Sequence, residues 1–146
     1  MASSLQVVVN CADPDRLATF WAAALGYKKQ DPPEGHATWP EFLASMGVPE
    51  SEWSSASAVV DPAGGGPRLF FQRVPEPKAG KNRLHLDLNV GGGHATPLDE
   101  RGRRIEAEAE RLVGLGATIQ DRKAREQWGE RWIVMLDPEG NELCLQ

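Results

Sequence analysis

Very little in this sequence points away from an ordinary globular protein. Only two cysteines, Cys11 and Cys144, occur in 146 residues, too few for a disulfide framework. No apolar run is long enough to cross a membrane. The opening MASSLQVVVN has neither the basic stretch nor the long apolar stretch of a secretory signal. A surplus of positive charge is also missing. Lysines and arginines number 16 against 21 aspartates and glutamates, a net charge of −5, whereas nucleic-acid binders normally leave a basic footprint. Arg103, Arg104 and Arg111 are interleaved with glutamates and read as a solvated helix face. The glycines at 64–66 lack the Lys-Ser/Thr ending and the following helix of a phosphate loop, so a hairpin turn is expected there. Together these absences predict a cytoplasmic protein with no membrane and no nucleic-acid partner.

What is present is a chain of the length that usually makes one core, near ~150 residues. Its most informative stretch is NRLHLDLNV, residues 82–90. Leu84, Leu86, Leu88 and Val90 alternate with His85, Asp87 and Asn89. That period of two predicts a strand with one apolar face and one polar face. The polar face, holding an imidazole, a carboxylate and an amide, is either solvent-exposed or the wall of a wet cavity.

Taken in order, residues 5–11 predict a strand, with Leu5, Val7 and Val9 on one side and Gln6, Val8 and Asn10 on the other. Asp13-Pro14 opens a helix with an acceptor at the N-cap and proline at the first helical position. Leu17, Phe20, Trp21, Ala24 and Leu25 form its apolar stripe, and Gly26 ends it. A short strand is expected at 27–30. Residues 31–57 are irregular, with a short helix from Trp39-Pro40 to Gly47. Trp39, Phe42, Met46 and Trp53 are many large apolar groups for such a segment; they either seal the core or wall a pocket. Strands follow at 56–60 and 68–74, then a proline-bearing connector at 75–81. Beyond the 82–90 strand, a helix is expected from 96–100 to Gly114 or Gly116, with Ile105, Ala109, Leu112 and Val113 buried. The chain then predicts a strand at 117–120, a charged loop at 122–130 holding Trp128, and strands at 131–136 and 141–146.

The chain repeats itself. Both halves run strand, helix, three strands. Each helix closes on Leu-Gly, at Leu25-Gly26 and Leu115-Gly116. Each third strand ends in Asp-Pro, at Asp61 and Asp137, and each last strand reads Leu-x-x-Gln, Leu69 to Gln72 and Leu143 to Gln146. The period exceeds the ~50 residues of solenoid repeats, so duplication of a βαβββ unit fits. The expectation is one domain over 1–146, with modules at 1–76 and 82–146. One helix per module covers one face of its sheet. The opposite face then carries Gln6, Asn10, Phe70, Gln72, His85, Asp87, Asn89, Glu142, Cys144 and Gln146. If the sheets curl together, that face lines a cup of the kind that binds small molecules.

This arrangement resembles the vicinal oxygen chelate superfamily, the glyoxalase and bleomycin-resistance fold, over nearly the whole chain. The stretches that carry the resemblance are LQVVVNCADPDRLATFWAAALGY, RLHLDLNV, RIEAEAERLVGLGAT and WIVMLDPEGNELCLQ. It implies an α+β fold of two βαβββ modules forming a cupped mixed sheet, and a homodimer. It also implies where a metal would sit. In metal-dependent members each module gives two ligands, a His or Glu near the start of its first strand and a Glu on its last. Matched motif to motif, these positions fall on Gln6, His85, Cys144 and either Phe70 or Gln72. Only His85 is a usual ligand in its usual place, and Glu142 is the substitute nearest to hand.

The resulting expectation is a glyoxalase-like protein that binds a small molecule in the cup between its modules without a metal or other cofactor. The candidate ligand-binding residues are Gln6, Trp39, Phe70, Gln72, Asp87, Asn89, Trp128, Glu142 and Cys144. One alternative is a lyase, isomerase or dioxygenase using zinc, nickel, iron or manganese through His85 with Glu142 or Cys144. Another is a metal-free enzyme with His85 as general base, for which an imidazole is suited near neutrality. Each residue also has a plainer reading: His85 as a hydrogen-bonded side chain, Cys144 as a buried thiol, Trp128 as core packing.

Overall fold

Val7, Val9 and Cys11 turn to one side of β1 (Gln6–Cys11), while Gln6, Val8 and Asn10 stay exposed on the other. The computed structural model, which describes all 146 residues, continues as the sequence predicts. The Asp13 side chain accepts the Arg16 N–H, Pro14 occupies the first position of α1 (Pro14–Leu25), and Gly26 closes it at φ 69°. That left-handed conformation is one glycine adopts at no steric cost. An N-cap of this type stabilises a helix by about 1 kcal/mol. After β2 (Lys28–Lys29) comes α2 (Trp39–Ser45), then a 3-10 turn at Glu50–Glu52, β3 (Ala56–Val60) and β4 (Arg68–Arg73). The second half contains β5 (Leu86–Leu88), α3 (Leu98–Gly114), β6 (Thr118–Arg125), a 3-10 turn at Glu126–Trp128, β7 (Glu130–Leu136) and β8 (Glu142–Leu145).

The chain divides into two units, Met1–Pro77 and Lys78–Gln146. Each holds a four-stranded sheet, ordered β1-β4-β3-β2 in the first and β5-β8-β7-β6 in the second. In each, the first strand pairs parallel with the last and the other pairs are antiparallel. The α+β fold of two βαβββ modules is therefore the one observed. In the first unit α1 packs on β2, β3 and β4, burying Leu17, Phe20 and Trp21 with Val59, Leu69 and Phe71. In the second, α3 packs on β6, β7 and β8, burying Ile105, Ala109 and Leu112 with Ile133, Met135 and Leu143. Each large apolar side chain taken fully out of water contributes roughly 1.5–3 kcal/mol. No helix is long and apolar enough to cross a membrane.

The structure departs locally from the periodicity. The 82–90 stretch pairs only over Leu86–Leu88, and Leu84 is 86% exposed. Leu5 and Val113 are likewise exposed. The charged segment at 122–130 is not a loop: β6 stays paired with β7 down to Arg125 opposite Glu130, with one irregularity between Ile119 and Asp121. Backbone pairing alone defines that strand, since nearly every side chain on it is exposed.

Candidate functional site

In the first unit the residues facing away from α1 meet across strands in register: Gln6 lies opposite Arg68, Val8 opposite Phe70, and Asn10 opposite Gln72. Gln72 Nε2 donates to Asn10 Oδ1 at 2.8 Å. Arg68 Nη1 donates to Gln6 Oε1 at 2.6 Å, and its Nε donates to Gln30 Oε1 at 2.7 Å. The guanidinium carbon stands 5.0 Å from the centroid of the Phe70 ring. Arg68 is thus held flat by two neutral amides and an aromatic face.

Over this face lies a cavity of about 340 Å³, contained within the first unit. Its walls include Arg68, Phe70 and Gln30 from the sheet side, and Trp39, Leu43 and Trp53 from residues 39–53. The sequence builds the outer wall deliberately. The Thr38 hydroxyl accepts the Glu41 N–H, and the Glu41 carboxylate accepts the Ala37 N–H, so α2 starts on a reciprocal cap. Both indole N–H groups are already used: Trp39 Nε1 donates to the Gln30 carbonyl at 2.8 Å, and Trp53 Nε1 to the Val48 carbonyl at 3.0 Å. What they offer the cavity is ring surface, and Phe42 packs edge-on against Trp39 behind it.

The second unit repeats the frame with other chemistry. Asp87 lies opposite Cys144, and Gln146 Nε2 donates to Asn89 Oδ1 at 2.9 Å, the same amide pair as Gln72 and Asn10. This repeat resolves a register the sequence left open: Cys144 corresponds to Phe70, and Gln146 to Gln72. His85 Nε2 is 3.2 Å from Asp87 Oδ1. The donor atoms of His85, Asp87 and Cys144 all lie within 4.8 Å of one another. Burial pushes the Cys144 thiol pKa up, the Asp87 carboxylate adds to the rise, and Lys81 opposes it. A thiol so disposed stays protonated and is a poor nucleophile.

Glu142 is buried and occupied elsewhere. Its Oε2 accepts the Asn82 N–H at 3.0 Å and lies 3.5 Å from Lys78 Nζ. Burial works to raise its pKa, but the Asn82 N–H, its own N–H and Lys78 outweigh that and leave it below the usual carboxylate value. Trp128 sits on the Glu126–Trp128 turn, 63% exposed, with Arg125 stacked 5.2 Å from its ring. The structure therefore brings Trp39 and Phe70 together in one cavity and His85, Asp87 and Cys144 in one cluster. Gln6, Gln72, Asn89, Glu142 and Trp128 line neither. The sequence reading missed Arg68 and Gln30. Arg68 alternates with Phe70 and Gln72, so the period of two already put it on their face.

The metal implied by the resemblance draws two ligands from each module. In the first module the matching positions are Gln6 and Phe70, and the oxygen of Gln6 accepts from a guanidinium. An amide, a phenyl ring and a neighbouring cation do not make half of a divalent site. The residues present do not fit that shared metal. Within the second unit alone, His85, Asp87 and Cys144 are three donors of types that zinc accepts.

Comparison with known proteins bears on this arrangement. Among curated proteins, none matches the sequence. Structures of similar fold include the E126Q mutant of the fosfomycin resistance protein FosX from Listeria monocytogenes, complexed with Mn(II) and 1S,2S-dihydroxypropylphosphonic acid. It has 13% identity and a TM-score of 0.63, over 100% of this chain and 90% of that one. FosX from Mesorhizobium loti has 14% identity and a TM-score of 0.62, over 100% and 92%. A glyoxalase/bleomycin resistance/dioxygenase family enzyme from Burkholderia phytofirmans PsJN has 14% identity and a TM-score of 0.60, over 96% and 94%. At such identities the likeness is one of fold. The family model described as a glyoxalase-like domain matches residues 6–146. With the duplicated βαβββ frame accounting for both halves of that match, the chain belongs to the glyoxalase-like domain family.

Proposed function

We propose that this protein binds a small organic molecule without a metal, in the aromatic cavity of its first module. The observation that carries this reading is the cavity itself: about 340 Å³, walled by Trp39, Trp53 and Phe70 with Arg68 and Gln30 as its convergent polar groups. That is the composition and size of a small-molecule site. FosX binds a small phosphonic acid in a structure that also contains manganese; here Gln6 and Phe70 stand where the first module would have to supply its share of a metal's ligands, and Arg68 donates to Gln6. The test is a thermal-shift screen of small aromatic and polar compounds on the whole chain, followed by calorimetry of the hits. Hits whose affinity falls about tenfold or more in Trp39→Ala, the loss expected when one aromatic wall of a site is removed, support the reading. A screen whose hits are all indifferent to Trp39 and Trp53 counts against it.

A second reading rests on the second module. His85, Asp87 and Cys144 have their donor atoms within 4.8 Å, which favours either a divalent ion held by that unit or proton transfer by His85, with Asp87 orienting the ring. Metal analysis of untagged protein separates it from the first reading. Near-stoichiometric zinc, nickel, iron or manganese that disappears in His85→Ala would favour the second. The proposal also carries a homodimer, a cytoplasmic location and a single domain over 1–146. Light scattering at twice 16.0 kDa would support the dimer, and one cooperative unfolding transition the single domain.

A further inference from the structure

We infer that the cavity of the first module selects a planar ring compound carrying a carboxylate, and that Arg68 is the residue that reads the charge. This rests on the reading of that cavity as a small-molecule site. Arg68 donates from Nε to Gln30 and from Nη1 to Gln6. Both acceptors are neutral amides, and neither cancels its charge. A guanidinium has five N–H donors in a rigid fork; two are used here, which leaves one on Nη1 and both on Nη2 for a ligand. Neighbouring donors of such a fork can take both oxygens of a carboxylate at once. The amides and the Phe70 ring fix its plane before any ligand arrives, so little ordering remains to be done on binding.

The other charges at the cavity sharpen the assignment. Asp15 and Lys29 line it too, and they pair with each other. Glu52, which also lines it, is exposed in the Glu50–Glu52 turn, where the high dielectric of water weakens its field. The half-buried charge on the wall is therefore the cation. Trp39 and Trp53 present ring faces with their N–H groups already bonded, which suits a flat apolar body and gives no reward for further acceptors. A ring for the indoles and a carboxylate for the fork are the two halves of one ligand.

The probes are 2-naphthoate and its neutral amide, 2-naphthamide, titrated calorimetrically into the whole protein, wild type and variants. The wild type is expected to bind the carboxylate about tenfold or more tightly than the amide, the scale of a desolvated charge-assisted bidentate pair. In Arg68→Met that ratio should fall to near one, while 2-naphthamide binding is retained. Arg68→Lys, which keeps the charge and loses the fork, should give an intermediate ratio and guards against a folding defect in the first variant. A ratio near one in the wild type, with both probes still dependent on Trp39, overturns the carboxylate inference and leaves the cavity reading standing. A ratio unchanged in Arg68→Met overturns it as well. Failure of both probes to bind at millimolar concentration overturns the inference and the cavity reading together.

Discussion

Leu69 in the first module and Leu143 in the second are both almost wholly buried, on corresponding strands of the same topology. The residues just before them are Arg68 and Glu142, and those just after them diverge again: Phe70 against Cys144. The buried rows are alike because each must fit under one helix. The rows that face away from the helix are free to differ, and they have. The first module mounts a guanidinium and aromatic rings; the second mounts an imidazole, a carboxylate and a thiol. Only the Asn–Gln pair, Asn10 with Gln72 and Asn89 with Gln146, is kept on both. Duplication preserved the frame and let the chemistry of the two halves separate.

The largest effects should fall equally on the two halves. Phe71→Ala is expected to destabilise by about 3–5 kcal/mol and Met135→Ala by about 2–5 kcal/mol, because both side chains are fully buried; denaturant unfolding measures this. A module that tolerated its truncation would break the likeness. Acid should then separate the halves. Glu142 titrates below its ordinary value of 4.5 in the folded chain, so the stability it contributes is present above about pH 4.5 and is lost as pH falls through the lower folded value. Glu142→Gln should flatten the acid limb of melting temperature against pH, whereas Arg68→Gln should leave that limb in place.

A smaller effect concerns the thiols. With its pKa raised by burial and by Asp87, Cys144 should react with iodoacetamide at pH 8 many times more slowly than an unfolded control. Asp87→Asn should speed it, because the carboxylate that opposes the thiolate is gone; mass spectrometry resolves the two cysteines. The smallest effect belongs to the shared amide pairs. Gln72→Ala and Gln146→Ala should each cost about 0.5–1 kcal/mol, and by similar amounts, since both pairs are exposed on the same side of equivalent strands.

The frame was legible because its signals are local and redundant. Asp13-Pro14 and Gly26 mark both ends of α1, and two Asp-Pro turns and two Leu-x-x-Gln endings reveal the duplication. Trp39 stood out as a large apolar group in an irregular segment. What the pattern could not supply was partnership between distant residues. The correspondence of Phe70 with Cys144 needed the pairing of β4 with β1, and the value of Arg68 needed Gln6 brought to it from β1 and Gln30 from just beyond β2. The pattern overstated the 82–90 strand, because alternation persists at Leu84 where no partner strand reaches. It understated β6, because Arg122, Lys123 and Arg125 look like loop residues, and only the pairing with β7 makes them a strand.

The division of labour between the halves is tested most directly by the indole N–H signals of 15N-labelled protein during a titration with 2-naphthoate. Five tryptophans give five probes, distributed over both modules. The signals of Trp39 and Trp53 should move together and saturate at one affinity, while those of Trp21 and Trp128 stay where they are. Movement of Trp128 with Trp39 and Trp53 unmoved would contradict the assignment of the ligand site to the first module.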